Sequence, residues 1–411
     1  MYYVGIDWAD QKHDIRILDQ TGEPISKTLT IEKSQQGFTE LLVRLRNLSD
    51  DPNQFKIGIE TPHNLLVDFL VDLNYPVYSI FPGSMKSFRK RYRSSGARDD
   101  SFDAFVIADV IRTDKACWRK VDFGSDLIRE IRITVRDHQH IINDHTALIN
   151  SLRATLKEYY PEYVHFFADV ACPCSLAFIK ALPDFEAAGH LSLEQLSNFF
   201  KERRLNNSKK MNKIFKLLHT IHIKVDPIII SAKRRKALTS VKQLILLAVD
   251  IEQYEDRIKE LIYQHPDSKI FLSYPGVAEI TTARLLAILG DNRELYSDAS
   301  EIQELTGTCP VTEESGKNIK SIYFRRACNK FYRDTMQNLA FSSLTKARWA
   351  MAYYKHHRAM GKKNAHALRC LANLHIKILF AMWKNRTEYD ENIFLAQRTR
   401  NLISSKNNLK N

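Results

Sequence analysis

The chain has 411 residues, with 61 Lys and Arg against 48 Asp and Glu for a formal charge of +13, and 44% hydrophobic residues. Such a length exceeds what one hydrophobic core organises and implies two or three domains, and the apolar fraction excludes wholesale disorder. The basic excess calls for an anionic partner, nucleic acid ahead of a membrane surface.

The chain opens on the strand-like Tyr2-Tyr3-Val4-Gly5-Ile6, with neither a basic leader region nor a long apolar stretch, so a cytoplasmic protein with no membrane partner is expected. YYVGIDW, HDIRILD and ISKTLTI are separated by polar turns and predict a three-strand meander. A helix near Gly37–Leu48, the strand FKIGIE ending at Glu60, a helix near Leu65–Leu73 and the strand PVYSIF at 76–81 complete a mixed α/β sheet.

From Asp126 to Tyr160 a seven-residue period runs through Ile128, Val135, Ile142, Ile149 and Leu156, which predicts one long helix with a coiled-coil seam, capped by Asp126 and ended by Pro161. His138 and His145 occupy seam positions and are read as structural. Residues 165–225 are less periodic. After the basic stretch Lys233-Arg234-Arg235-Lys236, a second heptad run through Val241, Leu244, Ala248, Ile251, Ile258 and Ile262 offers the first helix a partner, expected between protomers; His265-Pro266 closes it. Cysteines at 117, 172, 174, 309, 328 and 370 do not make a disulfide framework, and Cys172-Pro-Cys174 lacks a second pair at zinc spacing, so it too is read as structural.

Asp7 and Glu60 each end an apolar strand, and strand ends are where α/β sheets place their chemistry. Asp99-Asp100-Ser101-Phe102-Asp103 runs into a helix on which Asp100 and Asp103 share a face. Singly these acids are a turn residue, an edge residue and a helix start favoured by the dipole. Together, Asp7, Glu60, Asp100 and Asp103 form an oxygen-only set suited to Mg²⁺ and to phosphodiester chemistry.

GIDWAD, GIE and DSFDA resemble the DEDD-type transposases of bacterial insertion sequences, relatives of the Piv DNA invertase, and the resemblance extends through both ends of the chain. It implies a RuvC-like N-terminal domain of the ribonuclease H fold, with the four acids at Asp7, Glu60, Asp100 and Asp103; Asp99 departs from the DxxDA spacing and is the spare. The expected class is therefore α/β plus α: a ribonuclease H-like mixed sheet at 1–120, coiled-coil and helical linking segments at 121–266, and a helical C-terminal transposase domain at 267–411.

In that last domain, Tyr274-Pro275-Gly276-Val277 leads into a helix, like half of a helix-hairpin-helix element, and such turns expose backbone N–H groups to phosphate. Glu314-Ser315-Gly316 precedes the basic residues Lys317, Lys320, Arg325, Arg326, Lys330 and Arg333; on chemistry alone Ser315 reads as a loop serine. The family carries a serine in this ESG context, which implies that Ser315 is a nucleophile on DNA. RRACNK stands where many relatives have an SKxGN-type stretch, so the roles of Asn329 and Lys330 stay open. In the tail, Leu371, Leu374, Ile378 and Met382 read as core.

The resemblance implies DNA strand exchange using Mg²⁺-binding acids and a serine nucleophile, by a dimer or tetramer guided by a structured RNA, which would fit the basic runs Lys86–Arg98 and Lys233–Lys236. A Holliday-junction resolvase or other metal nuclease would use the same acids with water and leave Ser315 idle. A sugar-kinase-like ATPase shares the sheet, but Trp8-Ala9-Asp10 offers no phosphate loop. A non-catalytic nucleic-acid scaffold is the alternative outside the enzymes.

Overall fold

The computed structural model of the chain describes residues 1–60, 64–80, 82–92, 100–114, 118–204, 207–220, 223–315 and 319–393. They fall into two units, Met1–Phe123 and Gly124–Asn411.

In the first unit the alternating sequences form β1 (Tyr2–Trp8) and β2 (Lys12–Leu18), while β3 keeps only Leu29–Glu32 of the expected third strand. Ser34 accepts from the Gly37 amide and so starts α1 (Gln35–Arg46), and Asn64 does the same for α2 (Leu65–Asp72) beyond β4 (Phe55–Ile59). Then come β5 (Val77–Ser79), α3 (Pro82–Arg89), α4 (Asp100–Thr113) and the two-residue β6 (Arg119–Lys120), the last not foreseen. The sheet order is β3-β2-β1-β4-β5-β6, with β1, β4 and β5 parallel and the other pairs antiparallel. This mixed sheet is consistent with a ribonuclease H-like domain.

The seat of α4 on the sheet is made by two glycines. Gly5 and Gly58 lie opposite each other in the β1–β4 register. A Cβ on Gly5 would stand 2.0 Å from the Ala104 carbonyl oxygen and 2.5 Å from the Ala108 nitrogen, and one on Gly58 would meet the Ile107 and Ile111 side chains. The backbone of α4 therefore rests directly on β1, and Ala104, Ile107, Ala108 and Ile111 are all buried there.

The second unit is built on two long helices. Ser125 caps α5 (Asp126–Tyr159) by accepting from the Ile128 amide, so Asp126 is the first helical residue and not the expected cap. The less periodic stretch folds into α6 (Pro173–Ala181), α7 (Phe185–Gly189), α8 (Leu193–Lys201) and α9 (Ser208–Leu218), and α10 (Pro227–Gln264) follows. Glu130 meets Arg257 at 2.5 Å, and near the opposite ends Glu158 meets Lys233, so α5 and α10 run antiparallel within one chain. The two heptad runs thus face each other inside a single chain.

Their seam is buried only at its ends. Ile128, Ile131 and Val135 with Ile258, Leu261 and Ile262 join the core of α11 (Ser268–Leu272), α12 (Glu279–Leu289), α13 (Ala299–Leu305), α14 (Lys330–Ser343), α15 (Arg348–Ala359) and α16 (Asn364–Asn385), and the hairpin β7 (Val311–Ser315) and β8 (Ile319–Tyr323) stands between α13 and α14 in chain order. Leu152, Leu156 and Tyr159 with Ala237, Val241 and Leu244 join α6 to α9 in a separate core. Between these ends His138 is the one buried residue of the two helices, and the heptad positions Ile142, Ile149 and Ile251 are only half-buried. A break at 266 is therefore absent: both long helices contribute to the C-terminal core, and His265 and Asp267 are buried. In α16, Leu371 and Met382 are buried as expected, with Leu374 and Ile378 packed against the same core. Among the described residues no helix is long and apolar enough to cross a membrane.

His375, in the middle of α16, is fully buried and links three elements. Ser343 Oγ donates to the Ala340 carbonyl at 2.8 Å, so its oxygen is open to accept from His375 Nε2 at 2.9 Å, and Tyr274 Oη donates to Nδ1 at 2.6 Å. Burial pushes the imidazole pKa down from its ordinary 6.5 to about 3. The unfolded chain then binds one more proton than the folded one between those values, so this group's contribution to stability is full above about pH 6.5 and is lost as pH falls.

Two expectations follow from this packing. Gly5→Ala should destabilise the first unit by at least about 2 kcal/mol through overpacking, whereas Gly361→Ala, with nothing within 4 Å of its Cβ and a φ of 81°, should cost only about 1 kcal/mol of backbone strain; urea unfolding measures both. In His375→Gln, the dependence of unfolding free energy on pH between about 6 and 4 should flatten by up to about 1.4 kcal/mol per pH unit relative to the parent.

Candidate active site

The register that pairs Ile6 with Ile59 puts Asp7 and Glu60 at the next positions on two adjacent parallel strands, at their carboxyl ends. The close seat of α4 on β1 brings its first turn to the same end of the sheet. Asp103 lies there, 6% exposed.

Arg89, the last residue of α3, closes the group. Its Nε donates to Asp103 Oδ1 at 2.5 Å and its Nη2 to Oδ2 at 2.7 Å, while Nη2 stands 3.9 Å from Glu60 Oε1. Asp7 also lies within electrostatic reach of the guanidinium. The Asp103 hydrogen bond, above all, raises the Arg89 pKa. Burial raises that of Glu60; Arg89 opposes the shift and Asp103 adds to it. The structure thus brings three of the four expected acids together around one cation. Asp100 is the first residue of α4, where the backbone alone is described, and Asp99 lies outside the described residues.

Among the described residues no cluster of three acids, histidines or cysteines is gathered in a form that would hold a metal. Arg89 takes both Asp103 oxygens instead. The donor set is nonetheless all carboxylate oxygen, the chemistry of a hard cation such as Mg²⁺, and the half-buried Glu60 is a carboxylate that gains from a positive neighbour. Asp7, Glu60 and Asp103, with Asp100 on the same helix, are the residues that fit it.

Sequence reasoning missed Arg89 because it sits in the run Lys86–Arg98, which reads as a whole as a basic surface for RNA. Only the α4 contact distinguishes it. A second buried acid, Asp109, was also passed over; it accepts from Arg112 Nε at 2.8 Å and from the Tyr92 hydroxyl. In the described part of the basic run Arg91, like Arg89, has an acid partner, pairing with Asp114 at 3.0 Å, and residues 93–98 lie outside the described residues. In the other run, Lys233 is paired with Glu158, and Arg234 with Asp184 at 2.9 Å.

Ser315 is the last residue of β7, opposite Ile319 of β8; its backbone alone is described, and Lys317 lies outside the described residues. It belongs to the second unit and the acids to the first. Beyond β8, Phe324 carries two guanidinium groups, Arg333 at 4.5 Å and Arg369 at 3.9 Å from its ring centre. Arg333 also donates to the Arg325 carbonyl at 2.6 Å. Asn329 caps α14 by accepting from the Tyr332 amide, which gives it a structural role, and Lys330 is exposed. At the turn before α12, Gly276 has φ 86°, a Cβ there would stand 3.0 Å from the Ser343 nitrogen, and Ser342 donates to the Gly276 carbonyl at 3.0 Å. Glycine is thus required by the approach of α14.

His138 is buried in the α5–α10 seam, 3.7 Å from Glu255, and burial lowers its pKa. Cys172 and Cys174 pack against the core of α6 to α9. Both observations match the structural reading of these residues.

Known proteins resemble the chain in two segments. Residues 4–161 match the DEDD-type IS110 transposase model, and residues 268–355 match the transposase IS116/IS110/IS902 family. A candidate transposase of the mini-circle IS117 from Streptomyces coelicolor is 28% identical over 397 residues, 95% of each chain. A 43.6 kDa protein of insertion element IS110 from the same species is 26% identical over 302 residues, 72% of each. A 44.8 kDa protein of insertion element IS116 from Streptomyces clavuligerus is 23% identical over 390 residues, 93% of this chain and 95% of the relative. The chain is thus similar to the transposases of the IS110/IS116 insertion elements in two segments, to the DEDD domain in its first part and to the second transposase domain nearer its C-terminus.

Proposed function

We propose that this protein is a DNA strand-exchange transposase that uses the acids Asp7, Glu60, Asp100 and Asp103 with Mg²⁺ and Ser315 as nucleophile. The observation that carries the reading is the convergence of Asp7, Glu60 and Asp103 on Arg89 at one end of the sheet, in a chain similar to both transposase domains. A bound divalent cation would supply positive charge to the phosphate oxygens and to the departing oxygen. In this reading the Ser315 hydroxyl loses its proton and its oxygen bonds phosphorus, while a deoxyribose oxygen leaves and takes up a proton. The reverse step on another strand breaks the phosphoserine bond and restores the hydroxyl. A structured guide RNA and a homo-oligomer belong to the same proposal, since strand exchange requires several cuts in one complex.

Arg89 gives the acid site its resting cation, and a divalent ion must compete with it. Arg89→Met, which preserves the packing of the side chain, should bind Mn²⁺ at least tenfold more tightly by calorimetry, and Asp103→Asn should abolish that binding. Equal affinity in Arg89→Met and the parent would show that the guanidinium does not guard the site. Asp99→Ala should leave binding unchanged.

The serine step is tested by trapping. The parent should form a covalent protein–DNA adduct on element-end DNA. Ser315→Ala should form none while still binding DNA, and Ser342→Ala should behave as the parent. Cleavage persisting in Ser315→Ala, with free 5′-phosphate ends and no attached protein, would replace the serine mechanism with the water-based metal nuclease.

A further inference from the structure

The helical part of the second unit holds a groove of about 1030 Å³ with one sign of charge. Arg153 and Lys157, one turn apart near the end of α5, line one wall. Lys209, Lys210 and Lys213 of α9 line another, and His165 sits between them. No carboxylate lines the groove, and none of these five cations makes an ion pair among the described residues. Lys210 is held over the Phe167 ring at 4.7 Å, while Lys157, Lys209 and Lys213 are exposed.

This contrasts with the basic runs that are prominent in the sequence. There, Arg89, Arg91, Lys233 and Arg234 are each matched by an acid. Five cations spaced along two helices are gathered here without a counter-charge among the described residues, and they repel one another unless an anion is present. The groove floor offers the apolar Val164, Phe166 and Phe167, and its polar lining beyond the cations is His165 and Asn207, so it presents little that reads base edges. The wall formed by α9 also lies between the two segments matched by the family models, 4–161 and 268–355.

We infer that this groove binds the phosphodiester backbone of DNA, without sequence preference, and anchors substrate DNA to the helical part of the second unit. The inference rests on reading the chain as a protein that acts on DNA, and it needs neither metal nor Ser315. Phosphate contacts from Lys and Arg release condensed counterions, so each lost contact lowers the slope of log affinity against log salt by about 0.9.

The test is fluorescence anisotropy of the full chain with a 30-base-pair duplex of arbitrary sequence, in EDTA, across a salt series. Lys209→Gln/Lys213→Gln should lower the salt slope by about 1 to 2 and weaken binding at low salt by about tenfold. Adding Arg153→Gln/Lys157→Gln should deepen both effects. Lys27→Gln/Lys242→Gln removes the same charge from exposed positions elsewhere and should change little. Circular dichroism and melting of each variant confirm the fold, and Lys157→Gln alone, at an exposed position, serves if the combined variants melt early. Unchanged slopes alongside firm binding by the parent would overturn the groove and leave the DNA reading standing. A parent that binds no duplex would overturn both. A loss confined to an RNA hairpin, with duplex DNA binding intact, would overturn the assignment to DNA.

Discussion

Carboxylates brought to the same end of a sheet repel one another, and burial makes the repulsion worse. Two unit charges about 4 Å apart interact by about 4 kcal/mol at the effective dielectric of a protein surface. Holding the half-buried Glu60 beside the buried Asp103 therefore calls for a cation, and Arg89 provides it with a bidentate fork on Asp103 and a longer approach to Glu60. An arginine suits this role because it stays protonated and its planar donors match a carboxylate. The same fit explains why it can only be a resting partner. Both Asp103 oxygens are committed to it, so any other cation at this site has to displace a side chain at the end of a helix.

The geometry behind that contact is steric. α4 can bring Asp103 to the strand ends only because β1 and β4 present glycine at the contact, Gly5 under the Ala104 carbonyl and Gly58 under Ile107 and Ile111. Each glycine stands two residues before an acid, at Asp7 and Glu60. The local sequence thus couples the depth of the helix seat to the position of the carboxylates. In the second unit the long helices act as a strut with a core at each end. Apolar burial at the two ends fixes their register, and the exposed ion pairs between them add little, since such pairs contribute about 0 to 1 kcal/mol.

Strand and helix positions in the first unit were legible because period-two alternation and Ser or Asn caps act locally. Asp7, Glu60 and Asp103 were legible as strand-end and helix-start acids. Arg89 was not, because whether an arginine faces solvent or an acid depends on where α3 lies against α4, a contact over 14 residues that leaves no periodic mark. Heptads likewise announced two helices that pair, but the period is the same whether the partner is in the same chain or another. It also does not reveal that Ile142, Ile149 and Ile251 stay half-buried. The cap at Ser125 and the role of Asn329 were missed for a smaller reason: several capping residues stand together at each helix start, and backbone dihedrals decide between them.

Charge is where sequence order misleads most. A run such as Lys233-Arg234-Arg235-Lys236 stands out in the sequence, yet on a helix its members point in different directions, and two of them find Glu158 and Asp184. Arg153, Lys157, Lys209, Lys210 and Lys213 are scattered over some sixty positions and attract no notice in the sequence, yet folding sets them around one groove without an acid. What an anion senses is the uncompensated field at a surface, which depends on the partners each cation has already found. A net charge of +13 therefore locates nothing by itself. Among the described residues the groove of α5 and α9 gathers five cations without an acid, and there a polyanion meets an uncompensated field.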